Sequence, residues 1–411
     1  MNSMGDFSVK KGIVEKYSGR AATVIIPDNI TEIGDYAFAY CSSLTSITIP
    51  DSVTKIGESA FYDCSSLISI TIPDGVKEIA IWTFENCSSL SSITIPDSVT
   101  MIDDRAFQGC SSLSSITIPD GVSKIGESAF QGCRSLTSIT IPDSVTKIGG
   151  IAFYGCSRLT SITIPDSVTE IGSSAFQDCS SLTSITIPDS VTNISARAFQ
   201  GCSSLASVTI PDGVTEIGDY AFSGCSRLTS ITIPDSVTEI GNMVFQGCKA
   251  LADKEDGFTI VRGTLYDYFG KELHVVIPDG VTEIGCNAFE NCSILTSITL
   301  PYSLTKISWY AFSGCSSLTS ITIPDGVTEL GERAFSNCRN LTSITIPNSV
   351  TKIGWNAFQG CNSLTSITIP DSVTEIGESA FLGCSNLTIR ATAGSYAKVY
   401  AKKKRIAFTP E

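Results

Sequence analysis

Cysteine is the residue type in this sequence whose number and spacing most invite a chemical explanation. The 411 residues include sixteen cysteines but a single histidine, His274. Cysteines can bind zinc, pair as disulfides or act as nucleophiles. No two of them are spaced as C-x-x-C, and one histidine nearly excludes His-based triads and His-rich metal sites. We therefore expect no catalytic, cofactor-binding or metal-binding residues and no enzymatic activity.

Fifteen of the cysteines recur at a fixed interval of 23 residues, from Cys41 to Cys248 and again from Cys292 to Cys384. Each lies three residues after a phenylalanine. A fixed period of this length is typical of a solenoid, in which every repeat forms one coil of a stack. One thiol per coil would then form a row with a spacing of about 5 Å. We predict that this row is buried as small core side chains and is not cross-linked.

The pattern inside each repeat predicts a strand followed by turns. Ile47 and Ile49 alternate with Ser46 and Thr48, which is the period of a half-buried strand. A proline then stops the hydrogen-bond ladder, and the later Ala, Phe and Cys are spaced as on one or two helical turns. Burying roughly eight apolar side chains does not offset the entropy of ordering a whole repeat, so a coil folds only against its neighbours.

The consensus LTSITIPDSVTEIG-x-x-AF-x-GCSS, almost unchanged at Leu159–Ser181, resembles the BspA-type, or treponemal, leucine-rich repeat. This resemblance implies an α/β solenoid, a right-handed curved array of coils with parallel strands on the concave face and short helices or turns on the convex face. Family members are mostly surface or secreted proteins of adhesion and protein recognition. The resemblance thus implies a non-enzymatic recognition or adhesion solenoid that binds a protein, or alternatively a glycan.

Two 21-residue segments, Phe7–Pro27 and Phe258–Pro278, share their glycine and tyrosine positions and are each interpreted as a hairpin-like lead-in to an array. The predicted organisation is an N-terminal cap, ten coils, an internal re-entry module, five coils and a C-terminal cap, at residues 1–27, 28–253, 254–278, 279–388 and 389–411.

The internal module has two interpretations. It continues the hydrophobic core, which the strand-like residues after His274 favour, or it is a hinge, and Lys249–Gly257 is the expected flexible stretch. In the C-terminal cap we predict a helix from about Gly394 to Lys404, with Tyr396, Val399 and Tyr400 covering the open core of the last coil.

Hydroxyl-bearing side chains are the first candidate binding surface. Thirteen of the fifteen coils repeat a Ser/Thr pair on the strand, and we take Ser46, Thr48, Ser69 and Thr71 as candidate partner-binding residues. The alternative interpretation is that threonine is only a good strand former that keeps the face soluble. The aspartates after the prolines, such as Asp51, either attract cations or close Asx-turns, and we favour the turns.

All three tryptophans lie in the variable pair that precedes Ala-Phe, and they form the second candidate surface. Trp82, Trp309, Tyr310 and Trp355 are candidate contact residues, because Trp and Tyr dominate interaction hot spots. The alternative is that each ring folds over its own coil. Cys286 occupies the variable position after a glycine, so we predict that it is an exposed, reactive thiol.

The net charge and the distribution of apolar residues argue against some classes of partner and location. The net charge of −14 argues against nucleic acid or an anionic membrane as partner, and an apolar run of at most six residues argues against membrane insertion. The family implies a surface or secreted location. The start of the chain carries no secretory signal, so a cytoplasmic protein–protein scaffold is the alternative. A solenoid enzyme such as a polysaccharide lyase would need clustered acids, Lys or Arg in a cleft.

Overall fold

A computed structural model places residues 6–411, and the description below covers these residues. The chain forms two compact units, one ending at Leu251 and the other spanning Ala252–Glu411. Both are stacks of 23-residue coils with two short strands and a run of turns in each coil. The strands of neighbouring coils pair in parallel and in register, so that Ser69 lies beside Ser92. The predicted parallel-strand solenoid is confirmed.

Each unit begins with an antiparallel hairpin, as predicted from the two matched segments. Strands Phe7–Lys10 and Ile13–Tyr17 form the first hairpin, and strands Phe258–Val261 and Thr264–Tyr268 form the second. Gly12 and Gly263 turn the two hairpins with φ of +80° and +79°, values at which a side chain is strained.

The first strand of each coil is the predicted Ser-Ile-Thr segment, with isoleucine buried between outward-facing hydroxyls. In the first unit these strands are Thr23–Ile25, Ser46–Thr48, Ser69–Thr71, Ser92–Thr94, Ser115–Thr117, Ser138–Thr140, Ser161–Thr163, Ser184–Thr186, Ser207–Thr209 and Ser230–Thr232. In the second unit they are His274–Val276, Ser297–Thr299, Ser320–Thr322, Ser343–Thr345, Ser366–Thr368 and Thr388–Ala391.

Each coil also has a second strand of two residues, which the sequence analysis did not predict. In the first unit these are Glu32–Ile33, Lys55–Ile56, Glu78–Ile79, Met101–Ile102, Lys124–Ile125, Lys147–Ile148, Glu170–Ile171, Asn193–Ile194, Glu216–Ile217 and Glu239–Ile240. In the second they are Glu283–Ile284, Lys306–Ile307, Glu329–Leu330, Lys352–Ile353 and Glu375–Ile376. Charged residues pair across neighbouring coils here, for example Lys55 Nζ with a Glu32 oxygen at 2.8 Å.

The helical turns predicted around Phe and Cys are wrong. Among residues 6–411 the α-helix of the C-terminal cap is the one helix, and the segment from glycine to cysteine is a run of turns in every coil. Two residues per coil adopt left-handed backbone conformations, for example Ser59 with φ 53° and Asp63 with φ 55°. A left-handed residue interrupts a right-handed helix, so the spacing of Phe and Cys comes from turns.

The N–H groups of this turn segment alternate between two kinds of acceptor. Ala60 donates to Gly57 within the coil at 3.3 Å, whereas Phe61 donates to Thr83 in the next coil at 2.9 Å. The same alternation continues through Asp63, which donates to the next coil at 2.8 Å. Half of the turn's donors are therefore satisfied only when a neighbouring coil is present.

The phenylalanine carbonyl accepts a second hydrogen bond, from a thiol. The oxygen of Phe61 accepts the N–H of Cys64 at 3.1 Å and the Sγ–H of Cys87, in the next coil, at 3.2 Å. The rings stack as well, with Phe61 and Phe84 centroids 5.4 Å apart and nearly parallel. All sixteen thiols are free. The buried row of unlinked thiols is confirmed, except that Cys41 and Cys292, in the first coil of each unit, are half-buried.

The C-terminal cap consists of the helix Tyr396–Lys404 and the strand Ala407–Pro410. Ser395 caps the helix by accepting the N–H of Lys398, and the ring of Tyr400 packs edge-on at 6.1 Å against Phe381, the last ring of the stack. Tyr400 is buried, whereas Tyr396 and Val399 are exposed. Of the three residues predicted to cover the last coil, Tyr400 does so, together with two alanines of the same helix face.

The segment Lys249–Gly257, predicted to be flexible, is organised around Asp253. Its carboxylate accepts N–H groups from four residues, including Asp256 at 2.6 Å and Phe258 at 3.0 Å. Burial on its own raises the pKa of Asp253, but these hydrogen bonds outweigh it and the pKa is lowered. The second unit thus begins with a hydrogen-bonded turn.

The buried thiols predict a loss of stability at alkaline pH. Burial raises the pKa of Cys87 and of Cys156 to about 12, whereas an unfolded cysteine titrates near 8.5. Above that value the unfolded chain loses thiol protons that the folded chain keeps, so the free energy of unfolding falls by roughly 1 kcal/mol per pH unit for each thiol.

Denaturant unfolding between pH 8 and 10 measures this slope, and the pH range avoids most lysine titration. Cys156→Ala removes one thiol, so the free energy of unfolding should fall less steeply with pH, by the contribution of a single thiol. A stability that is constant or rising over this range would contradict the burial of the row.

Candidate functional site

The strand face carries the first set of candidate residues. Thr48, Ser69 and Thr71 are exposed and Ser46 is partly exposed, so all four lie on the outer side of their sheet. In parallel, in-register pairing, like hydroxyls of successive coils adjoin one another. The residue before the Ser is used internally in several coils, as when Thr45 Oγ1 donates to the Ala22 carbonyl at 2.8 Å and Ser91 Oγ donates to the Ile68 carbonyl at 3.2 Å. Ser46 also donates within the array, from its Oγ to Thr23 Oγ1 at 3.3 Å, whereas Thr48, Ser69 and Thr71 are the more exposed candidates.

Trp82 is engaged in holding two coils together. The guanidinium of Arg105, one coil further on, lies 5.8 Å from the centre of the Trp82 ring, and the indole is only partly exposed. Arg197 and Tyr220 form the same kind of stack at 5.1 Å. Cation–π contacts of this kind stabilise by about 0.5–1 kcal/mol at exposed sites. The Trp82 ring is therefore covered by another part of the array, the Arg105 side chain, and has a structural role.

Tyr310 is in a similar position. Arg333 of the next coil stacks on its ring at 5.3 Å and donates a hydrogen bond to its hydroxyl. Tyr310 also lines an open cleft of about 530 Å³, whose other walls are polar. The side chains of Glu290, Asn291, Arg333, Arg339 and Gln359 line it.

Trp309 and Trp355 differ from Trp82 because their rings are mostly free, with 56% and 60% of each residue exposed. Both occupy the position directly after the coil's glycine (or its serine substitute), two coils apart. The same position of the coil between them holds Glu332, whose carboxylate lies 4.0 Å from the guanidinium of Arg333. Two exposed indoles thus flank one carboxylate along a line of coils.

Cys286 was predicted to be exposed and reactive, and this prediction is wrong. The residue is 5% exposed, and the backbone N–H of Trp309 hydrogen-bonds to its sulfur. In another coil Asp35 fills the equivalent position and accepts the N–H of Glu58 at 2.9 Å. Both side chains thus reach a backbone N–H of the neighbouring coil, but Asp35 stays exposed whereas Cys286 is buried. That burial raises the pKa of the thiol.

The aspartates that follow the prolines are exposed and lie in turns. Asp51 is exposed, and its turn is closed by the main chain, with the Val53 N–H donating to the Pro50 carbonyl at 3.0 Å. Among residues 6–411, no group of three or more His, Cys, Asp or Glu side chains is placed to hold a metal ion. No helix in this part of the structure has the length and apolarity to cross a membrane.

Comparison with known proteins identifies the repeat. The sequence profile described as BspA type leucine rich repeat region matches residues 16–137, 123–252 and 264–388. A leucine-rich repeat protein from Bacteroides ovatus is 32% identical, with a TM-score of 0.61, and the match covers 92% of this chain and 94% of that one. A leucine rich cell surface protein from Faecalibacterium prausnitzii is 31% identical, with a TM-score of 0.51, over 97% and 96% of the two chains. No curated protein matches the sequence.

Thiol labelling of the native protein separates the buried cysteines from the partly exposed ones. We expect a maleimide to modify Cys41 and Cys292, both half-buried, before Cys286, because only 5% of Cys286 is exposed to the reagent. Peptide mass spectrometry at successive times gives the order. If Cys286 is labelled as fast as Cys41, its thiol is exposed as the sequence predicted, and the buried position is contradicted.

Proposed function

Because the chain belongs to the BspA-type leucine-rich repeat family, we propose that it is a non-enzymatic recognition or adhesion protein that binds protein or glycan partners through the extended surface of its coils. The family relationship supports binding as the general activity, since repeat proteins of this kind typically act in protein interactions. The outward side chains of the coils are the part of the molecule that would make the contacts.

The single observation that carries this proposal is the division between inward and outward positions. Phe, Cys, Ile and Leu in successive coils are almost completely buried, whereas Ser69, Thr71, Trp309 and Trp355 are exposed at matching positions of a regular stack. A rigid core that presents side chains at constant spacing is suited to binding a large partner over many weak contacts. Catalysis would need converging, perturbed groups in a closed pocket.

The relative from Faecalibacterium supports a location for this activity. That protein is described as a cell surface protein and matches this chain over nearly the whole length of both. We therefore propose that the present chain also acts at a cell surface, in adhesion.

A scaffold inside the cell is the second candidate function, and one observation favours it. All sixteen cysteines are free thiols, and free thiols persist most readily in a reducing compartment. Burial protects the row from oxidants in either location, so this observation supports the scaffold less strongly than the family relationship supports adhesion.

A binding screen with the intact chain, against extracellular matrix proteins and glycan arrays, tests the proposal. We expect at least one partner with micromolar or tighter affinity. If the strand face binds it, Thr140→Arg combined with Thr186→Arg should weaken binding by tenfold or more, because both threonines are exposed on that face and an arginine blocks close approach.

The matched control is Thr146→Arg with Thr192→Arg, which makes the same changes outside that sheet, on two exposed threonines. A partner that is lost equally with both double variants does not bind the strand face. Absence of any partner in the whole screen would refute the proposed function.

A further inference from the structure

Trp309 and Trp355 are held at a fixed separation by the core beneath them. Each lies three residues before a phenylalanine of the stack, and the ring centroids from Phe312 to Phe335 and on to Phe358 are 5.3 and 5.4 Å apart. The two tryptophans therefore start about 10 Å apart, which is two steps of a parallel sheet. Because they occupy the same position of their coils, they project from the same side of the second unit.

The backbone of the next coil supports the Trp355 indole from below. A Cβ atom added to Gly377 would lie 2.5 Å from Cδ1 of the indole, so the ring rests directly on this glycine. With 60% of the residue exposed, the opposite side of the ring faces solvent. A ring that is packed on one side and free on the other is a platform for stacking.

The surroundings of the two rings are polar and balanced in charge. Glu332 lies between them, and Arg333 pairs with it. The adjoining cleft adds Glu290 and Arg339 together with amide side chains, so the acidic and basic groups nearly cancel. Tyr310 adds a further aromatic ring beside Trp309, but Glu332 lies at the centre of the patch, and glutamate is depleted at the centre of protein interfaces.

We propose that Trp309 and Trp355 bind an extended, neutral oligosaccharide of β-1,4-linked sugars, with the Glu332 carboxylate between them. This inference rests on the proposed recognition function and names one class of ligand for it. The apolar face of a pyranose ring stacks on an exposed indole, and its hydroxyls need acceptors and donors close by, which Glu332 and Arg333 supply.

The repeat of the ligand matches the repeat of the protein. In a β-1,4-linked chain the advance per sugar is close to the advance per coil, and alternate sugars present the same face. Trp309 and Trp355 have one coil between them, so they contact two sugars that have one sugar between them and that present the same face. The sugar between them lies over Glu332, where the carboxylate accepts its hydroxyl hydrogens. A trisaccharide is the shortest ligand that contacts both rings.

Calorimetric titration of the full chain with cellohexaose and with chitohexaose tests this site. We expect one of the two hexasaccharides to bind, with an affinity that changes little with salt. The disaccharide of the bound series (cellobiose or chitobiose) should bind at least tenfold more weakly than its trisaccharide (cellotriose or chitotriose). Trp309→Ala and Trp355→Ala should each weaken binding about tenfold, the cost of one lost aromatic stack.

Tyr302→Ala is the matched control, because Tyr302 is a 94% exposed aromatic of the same unit that lies away from the tryptophans' position in the coil. It should leave oligosaccharide affinity unchanged. Circular dichroism verifies that all variants fold.

The outcomes separate this inference from the proposed function. If neither hexasaccharide binds, or if binding survives loss of both tryptophans, the oligosaccharide site is refuted. If the double tryptophan variant instead loses a protein partner found in the screen, the rings are a protein hot spot; the oligosaccharide inference fails and the recognition function stands. If the chain binds neither proteins nor glycans, both fail.

Discussion

Sharing of hydrogen bonds between neighbouring coils is the constraint on which the rest of this structure depends. Every second N–H of the turn segment, such as that of Phe61, donates to the following coil. The phenylalanine carbonyl of every coil except the last of each unit accepts both its own coil's N–H and the next coil's thiol. A coil therefore has unsatisfied polar groups unless it is stacked, and this requirement fixes Phe, Cys and the left-handed residues in place.

This constraint also decides where function can reside. Inward positions and the turn donors are occupied by stacking, so the outward positions, among them the strand hydroxyls and the variable pair after the glycine, remain for the proposed recognition. Within that pair the second residue is left-handed and supplies stacks between coils, as for Trp82 and Tyr310. The first residue, which includes Trp309 and Trp355, retains exposed rings. This difference of one position separates the stacked rings of Trp82 and Tyr310 from the exposed rings of Trp309 and Trp355, whereas Tyr36, in the second position of its coil, is 52% exposed.

The 23-residue period was sufficient to predict the stack, the first strands, the hairpins and the buried thiols, because each follows from apolar spacing and repetition. Spacing alone could not distinguish a helical turn from a turn containing left-handed residues such as Ser59, since both bring Phe61 and Cys64 to the same side. The sequence pattern did not predict the second strands, because a strand of two residues is too short to show an alternating pattern. Cys286 was misplaced because equivalent positions hold exposed side chains such as Asp35, and no local pattern reveals the Trp309 N–H of the adjacent coil that bonds to its sulfur.

Hydrogen exchange of a Phe153→Ala variant tests the sharing between coils most directly. Removing one ring from the middle of the stack costs about 3–5 kcal/mol. The N–H of Phe130 donates to Ala152, and that of Phe153 donates to Ala175. We predict that protection is lost in the turn segments on both sides of the altered coil and recovers with distance. Loss confined to the altered coil's own amides would show that coils are independent and would contradict this account.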